Sequence, residues 1–142
     1  MIRSWYFDDI PVGYTHTFGA AAVDGDDIAV FADRFAPHLP LNPEAKAKPP
    51  SPPAPQAHVY ALWSRMLWDE TKDWPVLSRL GQDALRWYKT AHAGDTLTIR
   101  LTFVSKQPIG EDRGILIAQH DVLNQDGELV MSLMTRTMVG RL

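Results

Sequence analysis

Hydrophobic residues change their spacing along this chain, and the changes outline its elements. In "DGDDIAVFADRF", Ile28, Phe31, Ala32 and Phe35 recur at i, i+3, i+4 and i+7, the spacing of one apolar helical face. Asp24 or Asp26 is placed to cap that helix. Before it, "FDDIPVG" reads as a turn and "YTHTFGAAAV" as a short strand. A second apolar stripe runs from His58 to about Asp69, through Val59, Leu62, Trp63, Met66 and Leu67. Pro55 suits the start of this helix, and Pro75 rules out a long continuation. From residue 82 onward the period is two. "DALRWYK" reads as a strand. In "GDTLTIRLTFVSKQ", Leu97, Ile99, Leu101 and Phe103 share one face, opposite Thr96, Thr98, Arg100 and Thr102. "GILIAQHDVLNQDGELVMSLMTRTMV" reads as a hairpin of two long strands turning at Asp126-Gly127.

This order gives a weak strand, a helix, an irregular stretch over 36–57, the principal helix and about four antiparallel strands. One principal helix on an antiparallel sheet is an α+β arrangement. A single helix covers only part of such a sheet, so a second copy is expected to cover what is left, and the expected state is a dimer. The chain has 142 residues, enough for one domain with a real core, and no internal repeat is visible.

Composition narrows the function classes. A net charge of −3 with scattered Lys and Arg leaves no footprint for nucleic acid. Cysteine is absent, which excludes a thiol nucleophile and zinc–thiolate sites. No stretch approaches the length of a membrane-spanning helix and the first residues lack an apolar signal core, so the expectation is a cytoplasmic protein without membrane partners. No histidine–carboxylate set has metal-ligand spacing, and no phosphate-cradling loop or Gly-x-Ser-x-Gly occurs, so no metal and no cofactor is expected. His120 and Asp121 are neighbours on a predicted strand and point to opposite faces, so they do not form a simple pair. His16 and His92 have no identifiable partner. Trp63, Trp68, Trp74 and Trp87 suggest an aromatic ligand box, but Trp63 lies on the apolar helical stripe, where core packing is the better reading.

Several of these segments, in this order, resemble the MaoC-like dehydratases, hotdog-fold proteins related to the (R)-specific enoyl-CoA hydratases. "FDDIPVG" is similar to the family's opening strand and turn, and "DGDDIAVFADRFAP" with "NPEAKAK" to its first helix and active-site loop. "LRWYKTAHAGDTLTIRLTFVSKQP" and "DRGILIAQHDVLNQDGELVMSLMTRTMVGR" are similar to its sheet, including the "GDTL" and "NQDGE" turns. The resemblance covers nearly the whole chain, 1–142, as a single domain with a Pro-rich loop at 46–57. It implies a long helix wrapped by a curved antiparallel sheet, a dimer, and an acyl-CoA or acyl-carrier thioester as ligand. In the family an Asp and a His five positions apart add water across a 2-enoyl thioester. That reaction needs a base for water and an acid for the α-carbon. Backbone N–H groups at the start of the long helix polarise the thioester carbonyl.

The catalytic loop departs from the family pattern. Where Asp-Pro-x-x-x-His is expected, the chain reads "FAPHLPLNPEA". Ala36 stands at the Asp position and Leu41 at the His position; counted back from "NPEA", the His position falls on Pro40. Neither alanine nor leucine moves protons. His38 and His58 are the candidate replacements, with Asn42 able to orient His38. His38 also reads as a solvent-facing loop residue. His58, near the start of the long helix, either bonds a backbone carbonyl or partner loop, or lines the pocket. The substrate-binding candidates are Ala36, Leu41, Asn42, Gln56 and His58.

Three readings follow. The chain is a hydratase/dehydratase-type domain acting on or binding 2-enoyl-CoA-like ligands with its dyad replaced; or a non-catalytic acyl-CoA-binding or structural subunit paired with an active hotdog paralogue; or a hotdog thioesterase. Its partner is a second copy or that paralogue. Pro49, Pro50, Pro52, Pro53 and Pro55 stiffen the lead into the long helix. Gln56 stands near the family's helix-start glycine.

Overall fold

The computed structural model describes residues 5–37 and 52–142. His38, Leu41 and Asn42, singled out above, lie outside the described residues. A 3-10 turn at Phe7–Asp9 leads into β1 (Thr15–Ala22), then α1 (Gly25–Phe35) and α2 (Gln56–Thr71). Four strands complete the chain: β2 (Val76–Trp87), β3 (Thr96–Pro108), β4 (Arg113–Leu123) and β5 (Leu129–Gly140). They form one five-stranded sheet in the order β1-β3-β4-β5-β2, antiparallel at every pairing.

The inward face of the sheet follows from the period of two. Leu97, Ile99, Leu101 and Phe103 of β3 are buried, as the alternation predicts, and so are Leu116, Ala118, His120 and Val122 of β4. The α2 helix lays Val59, Trp63, Met66 and Leu67 onto this face. The sheet bends to take it. Between Phe18 and Ala21 the β1–β3 register shifts, and Gly19 adopts φ +82° there. A Cβ on Gly19 would stand 2.8 Å from Met66 Sδ, so the bulge is where sheet and helix come closest. At Gly114 a Cβ would fall inside the Phe7 ring, which packs flat on that bare backbone.

The structure corrects four expectations. The opening segment forms the turn read there, as a 3-10 turn, but not the strand that the resemblance adds. The long helix begins at Gln56, two residues before His58, because Pro55 is the N-cap, and it runs on to Thr71. The strand expected at "DALRWYK" begins at Val76; three register shifts against β5 and a positive φ at Ala84 break the alternation that would have marked it. On α1, Ile28 and Ala32 are buried but Phe35 is 65% exposed, because the helix rests on the core through its first two turns and its last turn stands clear. Asp24 is the N-cap residue of α1, without a side-chain hydrogen bond to the helix. The β4–β5 turn is as expected: Gly127 has φ +75° and donates to the Asn124 carbonyl at 3.0 Å. Among the described residues no helix is long and apolar enough to cross a membrane.

Candidate functional site

A recess opens where α1 ends and α2 begins. The last turn of α1 closes on Ala36, whose N–H donates to the Ala32 carbonyl at 2.9 Å, and Ala36 is buried. Facing it, residues 52–55 run beside 91–93 as a short bridge. The Ala54 N–H donates to the Ala91 carbonyl at 2.8 Å, and the Ala93 N–H donates to the Pro52 carbonyl at 3.0 Å. Pro52, Pro53 and Pro55 therefore occupy positions whose missing N–H costs nothing. Ala54, the one donor among these four residues, is committed to holding the strap.

At Pro55 (φ −56°, ψ 146°) the chain turns into α2. The Pro55 carbonyl accepts from the His58 N–H at 3.0 Å and the Val59 N–H at 3.2 Å. The N–H groups of Gln56 and Ala57 have no acceptor among the described residues, as geometry requires of a first helical turn with no side-chain cap. Both residues line the recess, opposite Phe31, Phe35 and Ala36, in a space of about 560 Å³. The start of α2, the positive end of its helix dipole, thus borders this space, whose wall is mostly apolar apart from Gln56. Free backbone N–H groups at a helix start are chemically suited to bind a carbonyl oxygen or an anion. Ala36 supplies no group that exchanges a proton.

Of the residues expected here, Ala36 and Gln56 come together at the recess. His58 does not line it. Its imidazole is buried and stacks on Phe31 at 5.0 Å and 13°, and its Nδ1 has no hydrogen-bond partner among the described residues. Burial lowers its pKa, with the nearby Asp27 carboxylate acting in the opposite direction. His58 thus forms part of the contact between α1 and α2.

A second polar cluster carried no sequence signal. His120, 1% exposed, lies beneath α2. The Trp63 indole N–H donates to its Nδ1 at 3.1 Å, and its Nε2 lies 2.8 Å from the Thr135 hydroxyl. An indole nitrogen only donates, so Nδ1 is the acceptor and Nε2 carries the proton given to Thr135. Burial, reinforced by the charge of Arg79, pushes the imidazole pKa down to about 3 and keeps it neutral. Trp63 is core, as its place on the stripe predicts, yet it also has a polar partner. His120 and Asp121 point to opposite faces as expected, and Asp121 pairs outward with Arg100 at 2.9 Å.

No protein-family model matches the sequence, and no curated protein matches it. Solved structures do. A MaoC-like dehydratase from Rhodospirillum rubrum superposes with a TM-score of 0.83 at 27% identity, over 97% of this chain and 98% of that one. A Mycobacterium tuberculosis protein with a double hotdog fold gives 0.81 at 20% identity, over 99% of this chain and 46% of that one. An unliganded (R)-hydratase from Pseudomonas aeruginosa gives 0.75 at 21% identity, over 96% and 86%.

Proposed function

Starting from the hotdog fold that this chain shares with the MaoC-like dehydratases and (R)-hydratases, we propose that it is a single acyl-thioester-binding domain of that type. Its ligand is a 2-enoyl-CoA or the same acyl group on a carrier protein, and its hydration chemistry has been lost. The observation that supports this reading is the pair of N–H groups at Gln56 and Ala57, without an acceptor among the described residues, on two residues that line a recess bounded by Ala36. The donors that polarise a thioester carbonyl are retained. Alanine stands where the resemblance puts the carboxylate, so the base for water is missing.

The replacement of that carboxylate also favours the role of an inactive half that pairs with an active hotdog partner in the cytoplasm. A neighbour that carries two hotdog units in one chain supports this arrangement. A crotonyl-CoA hydration assay on the purified chain tests the reading. The expected outcome is no turnover above the uncatalysed rate, and co-purification with a partner that carries Asp and His at these positions. Robust turnover that disappears in His38→Ala or His58→Ala would overturn it. Hydrolysis of long-chain acyl-CoA, read by thiol release, would point to the thioesterase reading.

A further inference from the structure

The α2 face that starts at Gln56 continues through Tyr60 and Trp63 at i+4 and i+7, so these three side chains lie in one line along the helix. Between Gln56 and Trp63 the helix rises roughly 10 Å at about 1.5 Å per residue. At the Trp63 end lies a separate recess of about 360 Å³ between α2 and the β5–β2 pair, lined by Arg79, Gln82, Thr135, Arg136 and Thr137. Arg79, Thr135 and Thr137 also line a deeper cavity of about 30 Å³ beside Trp74 and His120. That inner space has room for roughly one or two oxygen atoms.

Hydrogen-bond capacity around these two spaces is lopsided. The tautomer of His120 fixes Thr135 as the acceptor of the Nε2 proton, which leaves the Thr135 hydroxyl hydrogen free to donate onward. The Trp74 indole N–H is buried and has no partner among the described residues. Tyr60 already donates to Gln82 Oε1 at 2.7 Å, so that acceptor is occupied. Arg136 is engaged by Asp83 at 3.4 Å, whereas Arg79 has no carboxylate partner among the described residues. Apart from the Thr137 hydroxyl, which can donate or accept, the free groups are therefore donors, and one of them is cationic. Such a set is completed by an anionic acceptor with two oxygens, one in the inner cavity and one on the guanidinium.

The geometry points to a carboxylate-binding subsite in which Arg79, Thr135 and the Trp74 indole receive the free carboxylate of a short dicarboxylic acyl chain. The carboxylate is the end of the chain remote from the helix start. Assigning the other end to the Gln56 and Ala57 donors rests on the thioester reading above; the subsite itself does not.

NMR of the full chain labelled with nitrogen-15 tests this, with monomethyl glutarate as the probe and uncharged dimethyl glutarate as the control. The Trp74 indole N–H is the reporter. The mono-acid should shift it saturably while the diester does not. Arg79→Gln, at an exposed position on an edge strand, should weaken binding by about tenfold or more, as loss of a charge-assisted bond implies. Arg79→Lys should recover part of it. An equal response to the diester, unchanged affinity in Arg79→Gln, or no saturable shift of the indole would overturn the subsite. A chain that binds the mono-acid but not crotonyl-CoA would sink the thioester reading and leave the subsite standing.

Discussion

His120 shows how a single side chain is held in one chemical state. It lies among Leu133, Val122 and the α2 helix with both ring nitrogens bonded, and its pKa of about 3 keeps it neutral in the fold. In the unfolded chain it takes up a proton near the ordinary pKa of about 6.5. The unfolded state thus binds more protons than the folded one between those two values. Stability is fully present above about pH 6.5 and falls as pH drops toward 3, by up to about 1.4 kcal/mol per pH unit for this one proton. Urea melts across that window should show the acid limb, and His120→Leu should be less steep there. An unchanged slope in the variant would mean that His120 is not held neutral by burial. The sequence exposed little of this. His120 stands 57 positions from Trp63 and 15 from Thr135, and only the folded register of β4 against β5 brings them together. Arg79 gave no signal either, because a lone arginine on an irregular strand looks like any surface charge.

At the scale of elements, the legible parts were those with an uninterrupted period. The β3 and β4 strands followed their alternation, the Asp126-Gly127 turn marked the β4–β5 hairpin, and the apolar stripe on α2 marked its buried face. The β2 strand hid half its length because bulges at three places shift which residues face inward. Prolines before α2 read as simple stiffening. In the fold, Pro52–Pro55 form a strap with its one N–H bonded to Ala91, and that strap fixes where the free donors of the helix begin. The bend of β1 over α2 depends on Gly19. Gly19→Ala combines an unfavourable φ with a Cβ 2.8 Å from Met66 Sδ, so a loss of about 1–3 kcal/mol is expected. Chemical denaturation reads this directly, and Gly19→Ala with wild-type stability would show that the bulge carries no such constraint.

For the whole molecule, the sheet ends in two edges, and they differ. The β2 edge carries Leu77, Leu80 and Leu85, each at least 42% exposed, on a strand whose other side is paired to β5. Unpaired backbone beside exposed leucines is a surface that a second subunit covers. We expect sedimentation at twice the chain mass, reduced to one chain mass by Leu80→Lys with Leu85→Lys. A wild-type monomer at micromolar concentration would contradict this. The fold class was readable from the sequence through its resemblance to the MaoC-like proteins. A donor at the start of the long helix could be anticipated, but the placing of Gln56 and Ala57 beside Ala36 needed the fold.

The proposed function requires a site that keeps thioester-polarising donors while lacking the means to move protons. One measurement addresses both halves: an NMR titration of the labelled chain with crotonyl-CoA, followed until the thioester signals are stable. The account predicts saturable shifts of the Gln56 and Ala57 amide signals while the crotonyl resonances persist unchanged. Growth of 3-hydroxybutyryl resonances, or amide signals at the helix start that never move, would contradict it.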